Sequence, residues 1–181
     1  MGLIKAMRRI AFLSLALTLA VSLVAHESGF PKETLQKVFP DATGFTARKK
    51  ALTPDQVKKA EQDSGSKVMR NDNPLTYYVA VKGQDALGSV VMLDTRGSKG
   101  GIDLALGIRR DGSVARLVVV ENSDDPALGQ AAFLDQIQGK TAQSPLKVGQ
   151  DIKFSGDARS AQAILSAVRR GLILLAAAQG K

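Results

Sequence analysis

Two glycine-containing segments carry the residues best suited to hold an anion. In Arg96-Gly97-Ser98-Lys99-Gly100-Gly101, successive backbone amides have little side-chain cover, and Lys99 adds a cation. Phe154-Ser155-Gly156-Asp157-Ala158-Arg159-Ser160 opens a long stretch of helical periodicity. A helix start presents free N–H groups and the positive end of the dipole, which suit a phosphate. Each segment also has a plainer reading: a flexible hairpin loop for the first, and helix capping by Ser155 or Asp157 for the second. Reactive side chains are sparse elsewhere. The chain has no cysteine and one histidine, His26. Disulfides, thiolate zinc sites, cysteine-held iron–sulfur clusters, covalent c-type haem and multi-histidine metal sites are therefore excluded. Asp124-Asp125 reads as a pair of solvated loop charges or as a carboxylate pair, and no Ser/His/Asp arrangement is present. Such a chain is a binding module, or it carries a cofactor that does the chemistry itself.

The elements that must position these segments describe an α+β domain, with a largely antiparallel sheet covered by helices. Lys32 to Phe39 is a short helix stopped by Pro40. Thr53-Pro54-Asp55-Gln56 opens a second, with a capping box and proline at its first position, ending near Gly65. Residues 66–76 read as loop. Tyr77 to Lys82 and Ser89 to Asp94 are strands rich in β-formers. Ile102, Leu104, Leu106 and Ile108 alternate with less apolar residues, so one face of that strand is buried. Asp111-Gly112 is the expected hairpin centre, and Val114 to Val120 the return strand. Glu121 to Gly129 is a polar loop, Gln130 to Ile137 a short helix, and 139–149 again loop. The last helix starts between Ser155 and Ser160 and runs to about Ala178. Ala161, Ile164, Leu165, Val168, Leu172 and Leu175 form its stripe, with Arg169 and Arg170 outside it.

The 181 residues suffice for one domain, expected over 26–181. Residues 1–25 have the plan of an export signal: Lys5, Arg8 and Arg9, then the 16-residue apolar run Ile10 to Ala25. That run is shorter than the roughly 20 residues of a spanning helix. The segment is a signal peptide or an uncleaved N-terminal anchor, and the basic flank keeps the start of the chain inside. Either way the domain is expected in the periplasm or otherwise outside the cytoplasmic membrane. The formal charge is +8; its basic and acidic residues are mixed, with no like-charge block beyond Arg48-Lys49-Lys50. This reads as a solvated surface. Aromatics are 4% with no tryptophan, and no nucleic-acid motif is present, so nucleic acid is not an expected partner.

Five segments, taken in order, resemble the FMN-binding domain family, which includes the flavin-carrying subunits of Rnf and sodium-translocating NADH:quinone reductase complexes and small exported flavoproteins. Val38-Phe39-Pro40-Asp41-Ala42 with Leu52-Thr53 is similar to the opening region of the exported members. Residues 100–108 with Asp111-Gly112 resemble the family's glycine loop, strand and hairpin. Asp125-Pro126-Ala127-Leu128-Gly129 resembles its T-P-G-L-G turn, with Ala127 in place of glycine. Phe133 to Lys140 is similar to the helix that follows. Ser155-Gly156-Asp157-Ala158-Arg159-Ser160-Ala161-Gln162-Ala163-Ile164 resembles the S-G-A-T-x-S-S-x-A-V signature.

The resemblance implies an exported electron carrier rather than a catalyst with its own active site, working with membrane or periplasmic redox proteins. Its FMN phosphate would lie near Ser155, Gly156 and the start of the last helix. Its flavin ring would lie towards Pro126, Leu128 and Gly129, with Lys99 and Arg159 as the counter-charges and Gly100 in the glycine loop. In the family the signature threonine carries FMN through a phosphoester made by a flavin transferase. That position here is Ala158, or Ala163 in a shifted reading, and neither has a hydroxyl. Ser160 is a nearby hydroxyl two places on. Asp157 stands where the family has a small neutral residue; its charge opposes a phosphate, and Arg159 offsets it. The expectation is FMN held without the usual ester, or a flavin-free binding or assembly module on the same fold.

Overall fold

The computed structural model describes residues 31–180. Residues 1–25, expected to be a signal peptide or anchor, lie outside them. The described chain is built on a five-stranded antiparallel sheet in simple sequence order: β1 (Gly44–Lys50), β2 (Leu75–Lys82), β3 (Asp85–Arg96), β4 (Gly101–Arg109) and β5 (Val114–Asn122). Four helices accompany it: α1 (Lys32–Val38), α2 (Pro54–Ser64), α3 (Ala131–Leu134) and α4 (Ala158–Ala178). This is the α+β architecture expected from the sequence.

Alternation along β3 and β4 splits the sheet into two faces. Val91, Leu93, Leu104 and Leu106 point to the main core with Ile164, Leu165 and Val168 of α4, all essentially buried. Full burial of each such leucine contributes about 1.5–3 kcal/mol. On the other face Val90, Ala80 and Ala105 pack with Leu35 and Val38 of α1 and with Phe39, which caps its end. Small residues let α1 lie close there: a Cβ at Gly107 would run into Val38.

The second helix follows its capping box. The Thr53 hydroxyl accepts from the Gln56 amide at 3.3 Å, and the Gln56 side chain accepts from the Thr53 amide at 2.9 Å. Gly65 closes it in the left-handed conformation, φ +65°. α2 packs on α4, and α4 packs on β3. α4 is long and apolar enough to cross a membrane by length and composition, but 56% of its most apolar window is buried, and it serves as the core helix of this domain.

Four expectations need correction. β1 was not expected; Gly44-Phe45-Thr46-Ala47-Arg48-Lys49-Lys50 forms an edge strand paired with β2, and its basic run is mostly exposed. Lysine on an edge strand discourages pairing with other chains. The 66–76 loop contains a 3-10 turn at Arg70–Asp72, and its end already belongs to β2. Asp111-Gly112 does join β4 and β5, but within a three-residue loop, because the Arg109 amide donates to Ser113 O at 2.8 Å. Gly112 takes φ +84°, as the last residue of such loops requires. Finally, Arg170 is 1% exposed rather than outside the buried face. Its Nε lies 2.9 Å from Asp72 Oδ2, while its Nη1 and Nη2 donate to Ser66 Oγ and Asp94 O, both at 2.7 Å. Gly171 beside it faces Leu93 and Leu106 of the sheet, while α2 packs on α4, so α4 is covered by α2 as well as by the sheet.

Candidate functional site

The sheet's β3–β4 turn, the segment after β5 and the start of α4 come together, so the candidate residues do form one locus. The β3–β4 turn is tight, with the Gly97 amide donating to Gly100 O at 3.0 Å. After β5, the Asn122 side chain accepts from the Asp124 amide and donates to Asp125 O, which turns the chain into the 3-10 segment Pro126–Gly129. Asp157 is the N-cap of α4, extended at φ −66° and ψ 101°.

Three carboxylates meet at this junction, and each accepts backbone amides. Asp124 Oδ2 accepts from Lys99 N and from Gly100 N at 2.9 Å, and its Oδ1 accepts from Asp125 N at 2.9 Å. Asp125 accepts from Ala127 N and Asp157 N, both at 2.9 Å. Asp157 Oδ1 accepts from Arg159 N at 2.9 Å and Ser160 N at 3.0 Å. Seven amides are thus satisfied by three side chains. Ser160 is fully buried; its hydroxyl accepts from the Ser98 amide at 2.8 Å and donates to Asp124. The Ser98 side chain in turn bonds Asp157.

These bonds stabilise the ionised carboxylates. Asp124 is held down to about 2, chiefly by the Ser160 hydroxyl and then by the Lys99 and Gly100 amides acting against desolvation. Asp125 is lowered by the Asp157 and Ala127 amides, with Lys99 helping. Asp157 is lowered by the Ser160 amide and the Ser98 side chain. The repulsion each feels from Asp124 is outweighed.

The glycines of the locus make room for these contacts. A Cβ at Gly97 would sit 2.5 Å from Ser160 Oγ and 2.7 Å from Asp124 Oδ2. A Cβ at Gly156 would strike the Asp125 carboxylate and the Phe154 ring. Of the remaining candidates, Ser155, Ala158, Arg159, Lys99, Pro126 and Gly129 are exposed, whereas Gly100 is buried and Leu128 is fully buried in the core. Leu128 anchors the turn from beneath and offers no outer surface to a ring.

The residues present do not fit an FMN phosphate ester at this junction. Ala158 supplies a methyl group, the Ser160 hydroxyl is buried and used twice, and the amides that would receive phosphate oxygens already face carboxylates. Among the described residues, no cluster of three or more histidine, cysteine or acidic side chains is placed to hold a metal ion. A separate cleft of about 550 Å³ lies between the end of α4 and strands β2 to β4, lined by Val79, Ser89, Ile108, Arg109 and Gln179, and it shares none of the candidate residues. Sequence reasoning missed that Asp124 and Asp125 are the hub of the junction. The signal lay in Asn122-Ser123-Asp124-Asp125-Pro126, where short polar side chains ahead of a proline favour turns that bond back to the main chain.

Comparison with known proteins gives one curated relative. The chain is 26% identical over 91 residues to one of the subunits of a proton-translocating ferredoxin:NAD(+) oxidoreductase complex from Clostridium ljungdahlii. The match covers 50% of this chain and 49% of the relative, so the chain spans about half the length of the curated protein it matches. No family model matches the chain.

Proposed function

We propose that this chain is an exported component of a membrane-associated redox system, built on FMN-binding-domain architecture and carrying no FMN ester. The observation that carries the reading is the exposed methyl of Ala158 on the first turn of α4, where the resemblance expects the flavin-bearing threonine. The partial similarity to a component of an oxidoreductase complex supports the redox setting and suggests partners of that class. The run Ile10 to Ala25 supports delivery across the cytoplasmic membrane. FMN held reversibly and a flavin-free assembly module are the two cofactor states compatible with the reading. The filled amides favour the second.

The test is recovery of the full chain from its own cells by gentle solubilisation of membranes, followed by identification of co-purifying subunits. Recovery outside the cytoplasm with identified redox subunits supports the proposal. Recovery from the cytosol, free of any redox protein, overturns it.

A further inference from the structure

We infer that Asp124, Asp125 and Asp157 act as a built-in substitute for a phosphate, filling the anion locus from within and leaving the domain flavin-free. The inference deepens the functional reading above and rests on it only for the identity of the absent ligand. Its observations are those of the junction itself.

A phosphate at a helix start is held by free amides and by a positive local field. Here the Arg159 and Ser160 amides turn to Asp157, and the Lys99 and Gly100 amides turn to Asp124. Asp125 spans the gap between the two, taking the Asp157 amide on one oxygen and the Ala127 amide on the other. The β3–β4 turn is thereby tied to the segment after β5, and that segment to the N-cap of α4, by charge-assisted bonds, the stronger class of hydrogen bond. An incoming phosphate would displace at least one carboxylate from its donors while adding further negative charge beside all three. Loss of donors and like-charge repulsion both oppose it. The neighbouring cations Lys99 and Arg159 are exposed, so water and salt screen what they return.

The glycines fit the same account. Those at 97 and 156 serve approach of the protein's own Ser160, Asp124 and Asp125. Leu128, which the resemblance assigns to the ring, is buried. What a cofactor would organise, the chain organises by itself.

The experiment is amide hydrogen exchange on the full chain at neutral pH, alone, with FMN and with inorganic phosphate. The Lys99, Gly100, Asp157, Arg159 and Ser160 amides are expected to be protected without ligand and unchanged by either additive. Asp124→Asn should speed exchange at Lys99 and Gly100 on the order of tenfold while leaving β4 protected. Saturable added protection of these amides by FMN or phosphate in the unmodified chain would overturn the inference. So would rapid exchange of all five without ligand. Either result leaves the membrane-complex proposal standing, and recovery from the cytosol leaves this inference standing, so the two failures are distinguishable.

Discussion

The buried hydroxyl of Ser160 stands between the Ser98 amide, from which it accepts at 2.8 Å, and the Asp124 carboxylate, to which it donates. One side chain on the first turn of α4 thereby fixes the β3–β4 turn and the segment after β5 together. It is also the hydroxyl nearest to Ala158 in the signature, and this double use removes it as an alternative attachment point.

Ser160→Ala should therefore loosen the junction without creating or destroying a flavin site. It leaves Asp124 one donor short and the Ser98 amide unpaired, a cost of about 1–3 kcal/mol. Urea denaturation gives the loss, and exchange at Ser98 localises it. An unchanged midpoint would show that the hydroxyl bridge contributes nothing.

The Asp72–Arg170 pair makes a larger demand. Both side chains are 1% exposed, and Asp72 Oδ1 has no partner. Burial pushes the Asp72 carboxyl above its ordinary value, against the pull of Arg170. Asp72→Ala leaves a buried guanidinium unpaired and should cost about 3–5 kcal/mol. The double change Asp72→Leu with Arg170→Met should recover much of that loss, because it removes both charges. A double variant no better than the single one in urea melts would refute a structural role limited to this pair.

Acid should unlock the junction. Asp124 falls from 3.8 to about 2 on folding, and Asp125 and Asp157 shift in the same direction. Groups with lowered folded values contribute stability that is complete above the unfolded value and lost as pH falls through the folded one. The contribution is thus present at pH 5 and above (roughly a unit over the unfolded value) and lost between about 4 and 2. Asp72, shifted upward by burial, acts in the opposite sense and offsets part of the loss. Denaturation midpoints across that window should fall for the unmodified chain and flatten for Asp124→Asn. Parallel curves for the two proteins would contradict this.

Restoring the signature should reopen the locus. Asp157→Ala with Ala158→Thr frees the Arg159 and Ser160 amides and supplies the missing hydroxyl. Co-production with a flavin transferase should give flavin that survives acid precipitation, judged beside a loaded family member. A colourless double variant would show that Asp124 and Asp125 alone keep the locus closed, or that α4 is not the attachment helix. Adding Asp125→Thr separates those outcomes.

Much of this fold was legible because local signals agreed with the tertiary result. The Thr53–Gln56 capping box, the Ile102–Ile108 alternation and the apolar repeat of α4 each follow from one short-range rule. β1 escaped because an exposed edge strand has no buried face to impose a period of two, and Arg48-Lys49-Lys50 looks like surface charge wherever it lies. Arg170 escaped because its burial depends on Asp72, almost a hundred residues away in the chain and brought to it only by the fold. The site divided along the same line. The segments that meet were legible by resemblance, and capping of α4 by Asp157 was one reading of the sequence, but Asp124 reaching the β3–β4 turn and Asp125 reaching the Asp157 amide are contacts that spacing alone does not reveal.

The most direct test of the central claim is a visible absorption spectrum of the full chain. It should be produced with a flavin transferase, exposed to excess FMN, freed of unbound flavin and then precipitated with acid. The account predicts a colourless protein before precipitation and no flavin in either pellet or supernatant. Stoichiometric flavin would contradict it: in the supernatant as a reversibly held cofactor, or in the pellet as a covalent one at a site other than Ala158.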